Sequence, residues 1–110
     1  MIEPDDDFEP PASMIGLVDE AISTLDGVGR GTDTGATTLT RAGRLFAVVI
    51  GDVLDVRLDP TLAGPALRTP DAAASSRGTG WISFAPPMLD RYAVDRIGAW
   101  LGYAWRHALD

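Results

Sequence analysis

The apolar positions of this chain change period several times, and each change marks an element. Met14, Ile15, Val18, Ala21, Ile22 and Leu25 recur at helical spacing, with Asp19, Glu20 and Ser23 on the other face. Ser13 stands where an N-cap is needed and Asp26-Gly27 where a left-handed turn ends a helix, which predicts about 12 helical residues. Residues 27–35, GVGRGTDTG, have no apolar period and read as a loop. Its glycines lie between a helix and a strand, the reverse of the strand-to-helix order that places phosphate at a helix N-terminus. Thr37, Thr38, Leu39, Thr40 and Arg41 then have strand chemistry, and Ala42-Gly43 is a turn.

The next stretch, LFAVVIGDVLDVRLDP at 45–60, reads as two apolar strands around Gly51-Asp52. A two-residue turn there sets the register. Ile50 faces Val53, Val49 faces Leu54, Val48 faces Asp55, Ala47 faces Val56, Phe46 faces Arg57, and Leu45 faces Leu58. Alternation then puts Leu45, Ala47, Val49, Leu54, Val56 and Leu58 on a clean apolar core face. Phe46, Val48, Ile50 and Val53 share the second face with Asp55 and Arg57, so the first of the two strands is apolar on both sides.

Asp59-Pro60 starts a short helical turn, as cap and first helical residue. Residues 69–80 are small and polar, hence a loop, and WISFA at 81–85 is a strand ended by Pro86-Pro87. Ala93, Ile97, Trp100, Leu101, Ala104 and Ala108 form the stripe of a last helix, flanked by Leu89 and Trp105, with Asp90 favoured over Asp95 as its cap. Gly98 and Gly102 each cost that helix ~1 kcal/mol against Ala, which predicts a close backbone approach to the sheet. The order predicts an α+β two-layer sandwich: an antiparallel sheet of about four strands, with the N- and C-terminal helices packed on one face.

Charge adds a division of the chain. Residues 1–11 hold five acids and three prolines and are expected to be a disordered acidic tail, followed by a single domain over 12–110. A docking motif around Phe8 is the alternative reading of that tail. The net charge of −7 falls to −2 without it, since eleven acids then face nine arginines. With no cysteine, disulfides, thiolate zinc sites and thiol nucleophiles are excluded. No apolar run approaches the ~18 residues of a membrane span, and the acidic start is unlike a basic, apolar leader. A cytoplasmic protein without membrane contact is expected.

No catalytic, cofactor or metal site emerges. His107 is the sole histidine, at a helix end where a cation suits the dipole, with no second ligand and no carboxylate placed to orient it. Asp52, Asp55 and Asp59 do not cluster into a calcium shell, and Asp55 is expected to meet Arg57 or solvent. Ser75-Ser76-Arg77-Gly78 has the groups to grip an anion, and as a nucleophile site it lacks a base. The candidate interaction surface is Phe46, Val48, Ile50, Val53, Arg57 and Trp81, with a cation–π pair between Phe46 and Arg57. The candidate anion or nucleic-acid contacts are Arg41, Arg44, Arg57 and Arg77, with Phe46 and Trp81 as a stacking platform.

A helix, then LFAVVIGDVLDVRLDP, a Pro-rich loop, a strand from Trp81 and a final Trp-bearing helix together resemble the MmcQ/YjbR-like family, related to the N-terminal domain of the TfoX regulators. The resemblance spans about residues 36–108. It implies a frataxin-like sandwich whose open sheet face binds a ligand, with nucleic acid among those proposed, and it supplies no catalytic motif. The chain departs from that pattern in having no lysine and an acidic start. The expectation is a non-catalytic binding or interaction module, its partner an unknown protein or a second copy. The alternative is a nucleic-acid-binding accessory protein.

Overall fold

Side-chain caps start each of the three helices among the described residues. Ser13 accepts from the Gly16 amide at 3.1 Å ahead of α1 (Met14–Ile22). Asp59 accepts from the Thr61 amide at 2.8 Å ahead of α2 (Pro60–Ala66). Asp90 accepts from the Ala93 amide at 2.9 Å ahead of α3 (Arg91–His107). These three caps satisfy donors that have no partner inside the helix. Helix α1 stops short of the predicted Leu25. The Ser23 and Thr24 hydroxyls donate back to the carbonyls of Glu20 and Ala21 and compete with its last turn. The computed structural model describes residues 10–109. Of the tail expected to be disordered over 1–11, residues 1–9, with the Phe8 motif, lie outside the described residues.

The strands are β1 (Val28–Asp33), β2 (Ala36–Arg41), β3 (Arg44–Ile50), β4 (Val53–Arg57), β5 (Ala72–Ala74) and β6 (Trp81–Phe84). They form one open antiparallel sheet in the order β1-β2-β3-β4-β6-β5. The sheet therefore has six strands where about four were expected. The two additional ones are its edges, β1 and β5, inside stretches that read as loops. An edge strand such as VGRGTD is paired on one side and mostly exposed, so it needs no apolar alternation. Thr34-Gly35, both at positive φ, closes the β1–β2 hairpin.

Between β3 and β4 the predicted register holds from Ile50↔Val53 to Ala47↔Val56. Between β2 and β3 the pairing is interrupted. Leu39 pairs with Ala47 and Thr40 with Leu45, so Phe46 is an extra residue in a β-bulge. The bulge breaks the alternation. Phe46 and Ala47 are both fully buried in the same cluster, while Leu45 turns to the other side and lines a groove with Val48 and Ile50.

The core gathers Met14, Leu17 and Val18 of α1 with Ala93, Ile97, Trp100, Leu101 and Ala104 of α3. From the sheet it takes Leu39, Phe46, Ala47, Val49, Leu54, Val56, Ile82 and Phe84. Phe84 and Trp100 meet edge to face with centroids 5.0 Å apart, which seats α3 on β6. The predicted α3 stripe is buried at every position. Its two glycines contradict the expected close approach: a Cβ on Gly98 or Gly102 would meet nothing within 4 Å.

Two outcomes follow for stability. Phe46→Ala should destabilise the fold by about 3–5 kcal/mol in urea unfolding, the cost of emptying a core aromatic site. A side chain on an exposed face would cost within about 0.5 kcal/mol, and that result would refute the inward turn at the bulge. Gly98→Ala should stabilise the protein by up to about 1 kcal/mol, read from the same unfolding curves, since Gly98 is exposed in mid-helix with room for a methyl.

Candidate interaction surface

On the second face of the sheet the register aligns Thr38, Val48, Asp55 and Ser83 across β2, β3, β4 and β6. Val48 is buried there although it lies outside the main core, and Asp55 is the one buried charged residue among the described residues. Both facts have the same cause. The segment between β5 and β6 folds back over this face, and Arg77 Nε donates to Asp55 Oδ2 at 2.7 Å. Ser75 Oγ accepts from the Arg77 amide at 3.2 Å and lies 3.4 Å from the same carboxylate oxygen, so the hydroxyl holds the arginine arm in place. Asp55 Oδ1 is buried without a hydrogen-bond partner. Lifting Arg77 would leave this carboxylate with no neutralising charge, so the pair keeps the arm down by about 1–2 kcal/mol after allowance for Arg77 being 31% exposed.

This arrangement revises several sequence expectations. Asp55 meets Arg77 rather than Arg57 or solvent. The Ser75-Ser76-Arg77-Gly78 stretch does hold an anion, and that anion is the protein's own Asp55. The Phe46–Arg57 cation–π pair does not form, because Phe46 is turned into the core. Arg77 lies over the Trp81 ring instead, at 5.9 Å. Arg57 sits opposite Trp81 in the β4–β6 pairing, as the strand pattern placed it on that face.

Of the predicted surface, Phe46 and Val48 are thus buried, for different reasons: the bulge for one, the Arg77 arm and neighbouring strands for the other. Ile50 is 49% exposed, and Val53 and Trp81 are half-buried. A groove of about 270 Å³ remains, with Val48 and Leu45 at its apolar side, Ile50 at its lip, and Thr38, Asp33 and Arg77 around it.

The other two predicted anion contacts lie elsewhere. Arg41 Nη1 donates to the Trp105 carbonyl at 2.9 Å, with its guanidinium 3.6 Å from the Trp105 ring centroid, and Arg44 Nη1 donates to the Ala108 carbonyl at 3.3 Å. Both arginines satisfy carbonyls at the C-terminus of α3, where a cation also suits the dipole. Trp105 Nε1 in turn donates to the Asp26 carbonyl at 2.8 Å, tying α3 to the end of α1's loop.

The sequence reading missed a second exposed region. Leu62 of α2, Leu67 at its C-cap, and Tyr92 and Tyr103 of α3 are exposed large side chains. Tyr92, Arg96, Ala99, Tyr103 and Arg106 recur at three- and four-residue spacing along α3, a pattern readable in the sequence once the core stripe is set aside. His107, at the end of that helix, has Nδ1 3.8 Å from Asp59 Oδ2, a juxtaposition invisible in the sequence.

No family profile matches the chain, and no curated protein matches it in sequence. A solved protein from Pseudomonas syringae, a structural genomics target, shares the fold with a TM-score of 0.63 at 13% identity, over 86% of this chain and 97% of that one. Among the described residues no group of three or more His, Asp or Glu side chains is placed to hold a metal ion, and no helix is long and apolar enough to cross a membrane.

Asp59 has its carboxyl held below the ordinary value of 3.8, first by the Thr61 hydroxyl, then by the Thr61 amide, with a smaller contribution from the charge of His107. Burial acts weakly the other way. A folded-state value below the unfolded one means this contribution is present above the unfolded value and is lost as pH falls through the folded value. Urea midpoints of the wild type and Asp59→Ala should therefore differ at neutral pH, the variant being weaker, and converge in acid. A gap that persists unchanged into strong acid would show that the carboxylate charge is not the source.

Proposed function

We propose that this protein is a non-catalytic binding module that takes an extended segment of a partner polypeptide on the second face of its sheet. This reading treats the molecule as a two-layer sandwich, with α1 and α3 on one side of the sheet and the other side left to the Arg77 arm and the groove beside it. The groove carries the proposal. It joins an apolar floor, Val48 and Leu45, to a few convergent polar groups, Asp33, Thr38 and Arg77, the mixture that orients a bound chain. Exposed Ile50 at its lip supplies the apolar contact a partner would cover. The resemblance to the MmcQ/YjbR-like proteins supports the same face.

Nucleic-acid binding is the second reading, and Arg57 opposite Trp81 on the sheet face is the observation that favours it. Arg41 and Arg44, which made the sequence case stronger, bond to α3 carbonyls instead.

Panning a displayed peptide library against the wild type and Ile50→Asp separates these readings. Peptides should be enriched on the wild type and lost on the variant, with its unfolding midpoint unchanged, because Ile50 lies outside the core cluster. Peptides retained by Ile50→Asp, or no enrichment at all, would count against the sheet face. Labelled single- and double-stranded DNA and RNA, titrated at low and moderate salt, test the second reading. Salt-sensitive binding weakened by Arg57→Ala would favour it.

A further inference from the structure

Helices α2 and α3 leave a groove between them that the sheet-face reading does not use. Its middle is a pocket of about 200 Å³ lined by Leu62, Pro65, Ala66, Thr69, Arg96, Trp100 and Tyr103. That lining contains apolar and aromatic groups and one arginine, and no acid. The groove continues through Leu62 and Tyr103 to a second hollow at Arg106 and His107, where Asp59 is the single carboxylate. Arg96 lies over the Tyr92 ring at 4.8 Å and Arg106 over the Tyr103 ring at 5.7 Å. Tyrosine and arginine are among the residue types that dominate binding energy at interfaces, and here they alternate along one helix, with Tyr92 and Tyr103 exposed.

The chain itself contains a segment of complementary chemistry. Residues 3–9 read EPDDDFE: five acids with one aromatic among them. The chain that follows them lies beside the start of α3, the helix that forms one wall of the groove. Pro11, Ala12, Ser13 and Met14 line a hollow with Pro86, Pro87, Met88 and Leu89, and Leu89 directly precedes the Asp90 cap of α3. Nine residues reach roughly 30 Å when extended, and the helix from Tyr92 to Arg106 rises only about 21 Å. Phe8 is three residues from Pro11, within roughly 10 Å of chain.

The second sheet face is an equally apolar alternative, but its charges argue against it. Asp33 and Asp55 stand there with Arg77, whose guanidinium is already taken by Asp55.

We propose that the α2–α3 groove is a docking site for acidic segments with an aromatic anchor, and that residues 3–9 of the same chain are its resident occupant. Phe8 fills the pocket at Arg96, Trp100 and Tyr103, for which about 150 Å³ suffices to hold a benzene ring. Glu9 and Asp7 flank Arg96, and the acids further toward the N-terminus run on to Arg106. Tethering supplies an effective concentration on the order of millimolar, so a weak intrinsic affinity keeps the groove filled. An outside acidic peptide would bind only by displacing it. This proposal is independent of the sheet-face reading.

The test uses the full chain. Backbone and indole NMR spectra are compared for the wild type, Phe8→Ala, and a form carrying Asp5→Asn, Asp6→Asn and Asp7→Asn. Either change should shift the signals of Arg96, Trp100 and Tyr103 and leave those of Val48, Asp55 and Arg57 in place. High salt should move the wild type toward the neutralised form. A synthetic peptide of residues 1–11 should bind the two variants and not the wild type, and Arg96→Glu should abolish that binding. Unshifted groove signals, or shifts on the sheet face instead, would overturn the proposal. So would shifts that grow with protein concentration, because the segment would then be reaching a second copy.

Discussion

One extra residue in β3 decides what each side of this sheet can do. A bulge at Phe46 lets two successive side chains, Phe46 and Ala47, enter the same apolar layer. An uninterrupted strand would have left a phenyl ring on the far side and put Leu45 in its place. Deep burial of an aromatic is worth roughly 1.5–3 kcal/mol over exposure, so the core gains a fully buried phenyl ring at the cost of one irregular pairing. On the N-terminal side of the bulge the phase of β3 is reversed. That reversal directs Arg44 toward the end of α3, where Arg41, in phase with buried Leu39 on β2, also arrives.

The far side of the sheet is organised by a different constraint, the charge of Asp55. A carboxylate in the middle of a sheet row between Val48 and Ser83 needs an opposite charge, and neither strand neighbour carries one. Arg77 does, and it brings the connection between β5 and β6 down with it. The arm covers Val48 and leaves the groove with Ile50 at its lip. A long connection with small, polar composition thus becomes an ordered wall of a surface hollow. The same pairing withdraws the loop's arginine from service as an anion contact.

Arginine use across the molecule follows from having no lysine. A guanidinium presents several donors in a fixed plane and stacks on rings, and most of the arginines here do one or both. Arg41 stacks on Trp105 while bonding a carbonyl, Arg30 makes a two-point contact with Asp19, and Arg96 and Arg106 lie over tyrosines. The first two pin elements to each other. The last two lie on an exposed helix face beside an apolar pocket, which is why that face reads as a surface for binding.

Local rules were enough to place the three helix starts, the β3–β4 hairpin and the buried stripe of α3. Ser13, Asp59 and Asp90 act on amides two or three residues away, Gly51-Asp52 sets a pairing through its own turn, and a helical stripe repeats every three or four positions. The edge strands β1 and β5 escaped that reading because an edge needs neighbours rather than an apolar period. The bulge at Phe46 also escaped it, since the pairing of β2 with β3 is decided by which register buries more apolar surface against α3. The partner of Asp55 lies 22 residues on, and that of His107 lies across two helices. Alternation along a strand is a local property of the backbone. The choice of which side chain meets which charge belongs to the packed whole, and only the tertiary structure makes it.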